Sequence, residues 1–247
     1  MDQTSPDQSK WTWQDVVFIP VGFGIFFFLG WLALAFILGQ LGIELNLSAE
    51  PTVAQTIALA AMETVALVAS VYFLGMLRHG LSWRQVGIRQ IENRWATMAI
   101  VISLLAIPIT GLITLLVLQA FDLPFENPQL EFFLPEGISV PGALGVIVLG
   151  GIAVPFAEEL FFRGVLYAWL RKHWGIWPSV LLSAFIFGLV HADIAVGVTA
   201  FALGIVLGLV YEYSRTLWTP FLIHALNNSL RLLLLYILVA FGLMPNI

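Results

Sequence analysis

The sequence lacks cysteine and has few charged residues. Zero cysteines among 247 residues exclude disulfide bonds, thiolate metal sites and cysteine nucleophiles. Only 10% of the residues are charged, whereas a soluble domain usually carries about 25%. The net charge is -5 and no basic stripe is present, so the chain has no surface that would neutralise nucleic acid phosphates. These deficits exclude a soluble globular domain and a nucleic acid partner.

Apolar residues dominate instead, at 60% of the chain with a mean hydropathy of +0.96. A helix needs about 20 apolar residues to cross the hydrocarbon of a bilayer. We predict an all-α, polytopic transmembrane helix bundle of about seven spans, with eight as the alternative count, in contact with membrane lipid. The predicted spans are 16–42, 53–77, 96–121, 142–170, 177–192, 195–213 and 217–241. Residues 16–241 then form a single transmembrane domain after an N-terminal segment at 1–15, in which Trp11 and Trp13 are placed as interfacial aromatics.

The charges in the connections predict the orientation. The connections at 43–52 and 122–141 are acidic and hold no lysine or arginine. The positive residues fall in the alternate connections: Arg78, Arg84, Arg89, Arg94, Arg171, Lys172 and Arg215. Because positive loops stay inside, we expect a cytoplasmic N-terminus and an outward C-terminus, in a bacterial plasma membrane.

Ionisable and amide side chains occur inside several predicted spans, where each is costly and therefore needs a reason. They form four groups: Glu158, Glu159 and Arg163; His191; His224, Asn227 and Asn228; and Glu63 with Arg231. Each group has a structural explanation, because such residues also hold helices together. On that reading, Glu63 and Arg231 neutralise each other.

Helical spacing separates the roles within these groups. Glu159 and Arg163 are four residues apart and can pair on one face, and His224 shares a face with Asn228 in the same way. Glu158 points about 100° away from Glu159, toward something else. Counted from the basic ends, Glu158, His191 and Asn228 lie at a similar depth of roughly 20 Å, and His224 lies one turn shallower. This coincidence favours one shared site.

Two kinds of chemistry fit a carboxylate, two imidazoles and an amide. The sequence has neither a Gly-x-Ser-x-Gly elbow nor a His-Glu-x-x-His zinc motif. Glu158 assisted by His191 could deprotonate a water, with His224 and Asn228 donating to the oxyanion. Alternatively, Glu158, His191 and His224 could ligate a divalent metal such as zinc. The residues alone leave both open.

Three motifs in order carry a family resemblance. Glu158-Glu159-x-x-x-Arg163, Phe187-x-x-x-His191 and His224-x-x-x-Asn228 on successive spans resemble the CAAX prenyl protease and bacteriocin-processing (CPBP, or Abi) family of intramembrane endopeptidases. The resemblance covers roughly residues 142–232, the expected catalytic core.

The resemblance implies a membrane-embedded peptidase that cleaves a peptide or protein substrate, prenylated in some members. It implies that Glu158 activates water with help from His191. His224 and Asn228 would serve the oxyanion, or a metal in the older metalloprotease view, and Glu159 with Arg163 would orient the site. Two alternatives from other classes stay open: a non-catalytic immunity or scaffold protein, and a proton-coupled transporter.

Overall fold

The computed structural model describes residues 9–40, 52–123 and 139–243. Within these ranges the chain forms helices and no strand, which confirms the all-α prediction. The helices are α1 (Trp13–Gln40), α2 (Val53–His79), α3 (Trp83–Val86), α4 (Asn93–Ala120), α5 (Val140–Trp174), α6 (Ile176–Leu189), α7 (Ile194–Ser214) and α8 (Trp218–Ala240).

Six of the described helices are long and apolar enough to cross a membrane, namely α1, α2, α4, α5, α7 and α8. Large apolar side chains cover their outer faces: Phe36 is 68% exposed, Val65 67% and Leu104 58%. A water-soluble protein would bury such a surface, whereas a bilayer covers it at no cost. The chain is therefore an integral membrane protein.

The predicted fifth span, 177–192, corresponds to α6 but is shorter than predicted. This helix has 14 residues, which is about 21 Å at 1.5 Å per residue. A bilayer's hydrocarbon core is about 30 Å thick, so α6 does not cross it alone. The backbone leaves the helix at Val190, and Ala192 takes a positive φ of 57° in the turn to α7.

Glycines bring α6 and α7 into close contact. The small-xxx-small spacing of Gly204 and Gly208 predicts such an approach. A Cβ at Gly204 would lie 3.1 Å from the Cα of Ala184, and one at Gly188 would lie 2.6 Å from the carbonyl oxygen of Gly197. The two backbones therefore pack directly against each other, which fixes the turn between them in place.

Helix α5 is irregular on both sides of its acidic residues. Two π-helical segments, Leu149–Ala153 and Phe162–Tyr167, flank the regular turns that carry Glu158 and Glu159. Pro155, which lacks an amide hydrogen, follows the first of them. Such segments are frequent at functional sites, where they redirect side chains. The two glutamates thus lie on a short regular stretch between two irregular ones.

One end of the bundle collects most of the positive charge. Arg78 lies 3.3 Å from Asp15, Arg171 pairs with Glu212 at 3.0 Å, and Arg89 donates to the Arg215 carbonyl at 3.4 Å. These contacts join the start of α1 to the end of α2, the end of α5 to α7, and the connection before α4 to the residue that follows α7. The inward direction of this end remains a prediction, and the acidic connections that support it lie mostly outside the described residues, at 41–51 and 124–138.

Trp11 is buried, contrary to its predicted interfacial place. It is 3% exposed, and its indole Nε1 donates to the Gly164 carbonyl of α5 at 2.6 Å. Trp13, at 60% exposed, remains on the surface. The prediction for Trp11 was wrong because the N-terminal segment packs back onto α5, a contact between residues 153 positions apart.

Candidate active site

The centre of the candidate site is a buried ion pair within α5. The Nη1 atom of Arg163 donates to Oε1 of Glu159 at 2.8 Å, and both side chains are at most 1% exposed. This is the four-residue pair that the spacing predicts. Its removal from lipid and water explains how two charges are tolerated inside a membrane span.

His224 of α8 joins this pair to the second glutamate. Its Nδ1 lies 2.9 Å from Oε1 of Glu159, and its Nε2 lies 3.6 Å from Oε2 of Glu158. A carboxylate only accepts hydrogen bonds, so the Nδ1 of His224 carries a hydrogen that it donates to Glu159. The Nε2 atom is thereby directed toward Glu158.

The two adjacent glutamates differ in accessibility and in partners. Glu159 is 1% exposed, and its Oε1 receives hydrogen bonds from both Arg163 and His224. Glu158 is 14% exposed and is held by no described hydrogen bond. Glu159 is therefore committed to holding its neighbours, whereas Glu158 retains free acceptor positions that a water could occupy.

Phe187 of α6 packs against three of the site's polar groups. The guanidinium carbon of Arg163 lies 4.9 Å from the centre of its ring. The imidazoles of His191 and His224 meet the same ring edge-on, at 4.9 Å and 5.5 Å between centroids. Phe187 thus contacts groups from α5, from α8 and from the turn that follows α6. It precedes His191 by four residues, and this one-turn spacing was the only sequence signal for it.

His191 lies in the turn after α6 rather than inside a span. Its Nδ1 contacts the Phe187 carbonyl at 2.7 Å, and since a carbonyl accepts, this nitrogen carries the hydrogen. The Nε2 atom is therefore an acceptor, and it has no partner among the described residues. No hydrogen bond joins His191 to Glu158 in the described part of the chain; Phe187 contacts both His191 and His224, and His224 lies 3.6 Å from Glu158.

Helix α7 contributes a backbone acceptor that sequence reasoning missed. The Nη2 atom of Arg163 donates to the Gly204 carbonyl at 3.1 Å. Gly204 has no side chain, so α5 and α6 can approach α7 closely at this position. Its backbone carbonyl is therefore within reach of Arg163. The spacing of Gly204 and Gly208 is visible in the sequence, but it predicted only close helix packing and not a contact with the site.

The two asparagines of α8 bond to each other. Nδ2 of Asn227 donates to Oδ1 of Asn228 at 3.2 Å. Asn227 is the more buried of the two, and Asn228 is partly exposed. With its oxygen occupied by Asn227, Asn228 presents its amide hydrogens elsewhere. Next to it, a Cβ at Gly151 would lie 3.1 Å from the Ser229 Cα, so α5 and α8 are in close contact at this level.

The predicted pairing of Glu63 with Arg231 was wrong. Arg231 donates to the Thr110 hydroxyl of α4, and no ion pair joins it to Glu63 in the described part of the chain. Both α2 and α8 pack against α5, and opposite charge alone does not reveal which of their polar side chains meet.

The predicted metal ligands do not form a coordination shell in this structure. No group of three or more His, Asp or Glu side chains is arranged to hold a metal ion within the described ranges. Glu158, His191 and His224 are therefore not gathered into such a group within the described ranges, and no step below is routed through a metal.

Comparison with known proteins places the site within a matched segment. Residues 140–230 match the family profile described as type II CAAX prenyl endopeptidase Rce1-like. A protein of Bacillus subtilis (strain 168) named "Putative membrane peptidase YdiL" is 27% identical over 135 residues, which cover 55% of this chain and 53% of that protein. The chain thus aligns with about half the length of this curated relative. No solved structure matches.

The matched segment contains α5 to α8 up to residue 230, and with them every residue of the cluster described above. The first three long helices lie outside it. Residues 140–230 of this chain are thus similar to the Rce1-like type II CAAX prenyl endopeptidases.

Proposed function

We propose that the chain is an intramembrane endopeptidase in which Glu158 activates the attacking water. The observation that carries this proposal is the difference between the two adjacent glutamates. Glu159 is buried and accepts hydrogen bonds from Arg163 and His224, whereas Glu158 lies beside His224 with no described hydrogen bond. The family match and the bacterial peptidase relative support the same activity. The reaction is hydrolysis of a peptide bond in a membrane-associated peptide or protein.

Glu158 acts as the general base. Its free oxygens accept a hydrogen bond from water, and it takes the water's proton as the oxygen attacks the peptide carbonyl. His191 assists, because its Nε2 acceptor is free to orient the same water. The proton then passes to the departing amine as the C–N bond breaks, which leaves one new carboxylate and one new amine.

His224 and Asn228 stabilise the oxyanion. The Nε2 atom of His224, when it carries a hydrogen, provides a donor beside Glu158. The amide hydrogens of Asn228 provide a second donor because its oxygen is already occupied by Asn227. Loss of one oxyanion donor typically lowers the rate about 10²–10³-fold.

Glu159 and Arg163 position these groups without touching the substrate. Glu159 holds the His224 ring through Nδ1, and Arg163 ties Glu159 to the Gly204 carbonyl of α7. An imidazole fixed in this way keeps one tautomer and one orientation. The buried pair of Glu159 and Arg163 therefore holds His224 in position beside Glu158.

The substrate class follows from where the site lies. A cluster enclosed by membrane-spanning helices is accessible to substrates held at or in the bilayer. We propose a bacterial plasma membrane location with the N-terminus in the cytoplasm, in keeping with the basic end of the bundle and the positive-inside rule. A prenyl group on the substrate is one means of membrane attachment, and metal assistance is the alternative chemistry to test.

Cleavage of fluorescent peptides by the detergent-purified protein tests the proposal. Plain and prenylated peptides would be incubated with wild type, with Glu158→Gln and with Glu92→Gln, whose carboxylate is exposed. We expect cleavage by wild type and Glu92→Gln alone, and no effect of a chelator. Loss of cleavage in chelator would replace the water-activation mechanism by a metal mechanism. Equal cleavage by all three proteins would refute the role of Glu158.

A further inference from the structure

The N-terminal segment contacts α5 one residue away from the candidate site. Trp11 is 3% exposed, and its indole Nε1 donates to the Gly164 carbonyl at 2.6 Å. Gly164 directly follows Arg163, the arginine that holds Glu159. The matched segment begins at residue 140, so this contact reaches the site from outside the part of the chain that resembles known peptidases.

The Trp11 ring lies between two π-helical segments. One is Phe162–Tyr167 of α5, which contains Gly164, and the other is Val71–Met76 of α2, which contains Gly75. A Cβ at Gly75 would lie 2.8 Å from Cζ3 of Trp11, so the ring packs directly against that backbone. Buried carbonyls need hydrogen-bond partners, and the regular ladder of bonds is interrupted in a π-helical segment. Trp11 thus connects the irregular part of α2 to the irregular part of α5.

The Asp15 carboxylate fixes the segment that carries Trp11. It is fully buried, and its Oδ2 accepts hydrogen bonds from the backbone N–H and the hydroxyl of Thr12, both at 2.7 Å. The same carboxylate contacts two residues at the end of α2, Nε2 of His79 at 2.8 Å and Nη1 of Arg78 at 3.3 Å. The ring of His79 meets that of Trp11 edge-on, at 5.9 Å between centroids. Polar and ring contacts from α2 therefore hold the indole in place.

The direction of Arg163 depends on the irregular backbone around it. Arg163 lies inside the π-helical segment, whereas its partner Glu159 lies in the regular turns before it. Hydrogen bonds in a π-helix join residues five apart instead of four, so successive side chains turn by a smaller angle about the axis. A change to regular geometry would alter the direction of Arg163. Its guanidinium would then lose its two acceptors, Oε1 of Glu159 at 2.8 Å and the Gly204 carbonyl at 3.1 Å.

We propose that Trp11 is a positioning residue for the peptidase site. Its hydrogen bond to the Gly164 carbonyl maintains the π-helical segment that contains Arg163. Arg163 thereby stays aligned with Glu159, which in turn orients His224. This inference rests on the proposed peptidase function. Because Trp11 acts at a distance through Arg163, its loss should slow the chemical step and leave peptide binding unchanged.

The kinetics of Trp11→Phe on the fluorescent peptides test this inference. We expect kcat to fall by about 10–10²-fold, because a misplacement of about 1 Å can cost up to that factor, while KM stays within about twofold of wild type. The controls are Trp13→Phe, at an exposed tryptophan, and Val117→Ala, which removes buried methyl groups from α4. Both should keep the wild-type kcat below their unfolding temperatures. An unchanged kcat in Trp11→Phe, a loss carried by KM, or an equal loss in Val117→Ala would overturn the proposal.

An analogue of nearly the same shape separates the hydrogen bond from packing, because phenylalanine is also smaller. Benzothienylalanine in place of Trp11 keeps the bicyclic ring and replaces the N–H by sulfur. We expect kcat to fall as it does in Trp11→Phe. A wild-type kcat would assign the effect to packing and overturn the role of the hydrogen bond to Gly164.

A double-mutant cycle assigns the effect to Arg163. Arg163→Lys keeps the charge but loses the planar fork that reaches both acceptors. If Trp11 acts through Arg163, Trp11→Phe should lower kcat by less than about twofold in the Arg163→Lys background. The full loss in that background would show that the two residues act independently, which contradicts the proposal.

Amide hydrogen exchange separates this inference from the proposed function, since it needs no turnover. In Trp11→Phe, exchange across residues 162–167 should become about 5–30-fold faster, because a buried hydrogen bond no longer resists local opening. Trp13→Phe should leave it unchanged. Faster exchange there supports the hold of Trp11 on this segment, even if wild type cleaves nothing and the peptidase function fails. Unchanged exchange refutes the inference whether or not cleavage occurs.

Discussion

The Nδ1 atom of His224 lies 2.9 Å from Oε1 of Glu159, across the interface between α8 and α5. This hydrogen bond decides which nitrogen of His224 carries hydrogen and which one faces the neighbouring Glu158. It fixes the orientation of the His224 ring through Glu159, a glutamate that is buried and already hydrogen-bonded. The proposed mechanism depends on this difference between Glu159, which is buried and hydrogen-bonded, and Glu158, which is partly exposed.

Glu159→Gln should destabilise the protein as well as slow it. The substitution leaves Arg163 buried without its counter-charge, and breaking a buried pair costs about 3–5 kcal/mol. It also removes the anionic acceptor that orients His224. Thermal unfolding in detergent measures the first effect and peptide cleavage the second. Glu92→Gln, at an exposed pair with Arg94, is the control and should change stability by at most about 1 kcal/mol. An unchanged unfolding temperature in Glu159→Gln would contradict the structural role of the pair.

Gly204→Val should disturb the contact between α6 and α7. The new side chain would begin with a Cβ 3.0 Å from that of Ala184, and overpacking of this kind costs about 1–3 kcal/mol. Cleavage should fall as well, because the Gly204 carbonyl accepts from Arg163. Gly24→Val is the matched control, since nothing lies within 4 Å of its Cβ position. Equal unfolding temperatures for the two variants would show that the close approach is not important for stability.

Trp11→Phe should weaken the attachment of the N-terminal segment to α5. An aromatic ring is kept, although a smaller one, and the Gly164 carbonyl loses the indole hydrogen that it accepts at 2.6 Å. A buried acceptor left without a partner costs about 1–3 kcal/mol. The unfolding temperature measures this loss, with Trp13→Phe as the exposed control. If both variants unfold like wild type, the contact between Trp11 and Gly164 contributes nothing to stability.

The sequence predicted those features that depend on spacing within one helix. The pairing of Glu159 with Arg163 and the close approach at Gly204 follow from residues three or four positions apart, which share a helical face. The long apolar spans follow from composition, because a bilayer imposes their length. These constraints are local and need no knowledge of the neighbouring helices.

Contacts between helices were not predictable in the same way. Arg231 bonds to Thr110 and not to Glu63, because the choice among polar partners depends on which helices pack together. Trp11 is buried because its segment folds onto Gly164, far along the chain. His191 lies in a turn because α6 ends at Leu189, and apolar content continues past that residue. Each error concerned tertiary packing, about which periodicity carries no information.

The most direct test of the account is the rate of single-turnover peptide cleavage by Glu158→Gln compared with wild type. The side chain is partly exposed and no described hydrogen bond holds it, so the variant should unfold at the wild-type temperature. We predict a rate at least about 10²–10⁴-fold lower, since a positioned general base typically contributes that factor. A folded Glu158→Gln protein that cleaves within about threefold of wild type, well short of that factor, would contradict the assignment of Glu158 as the base.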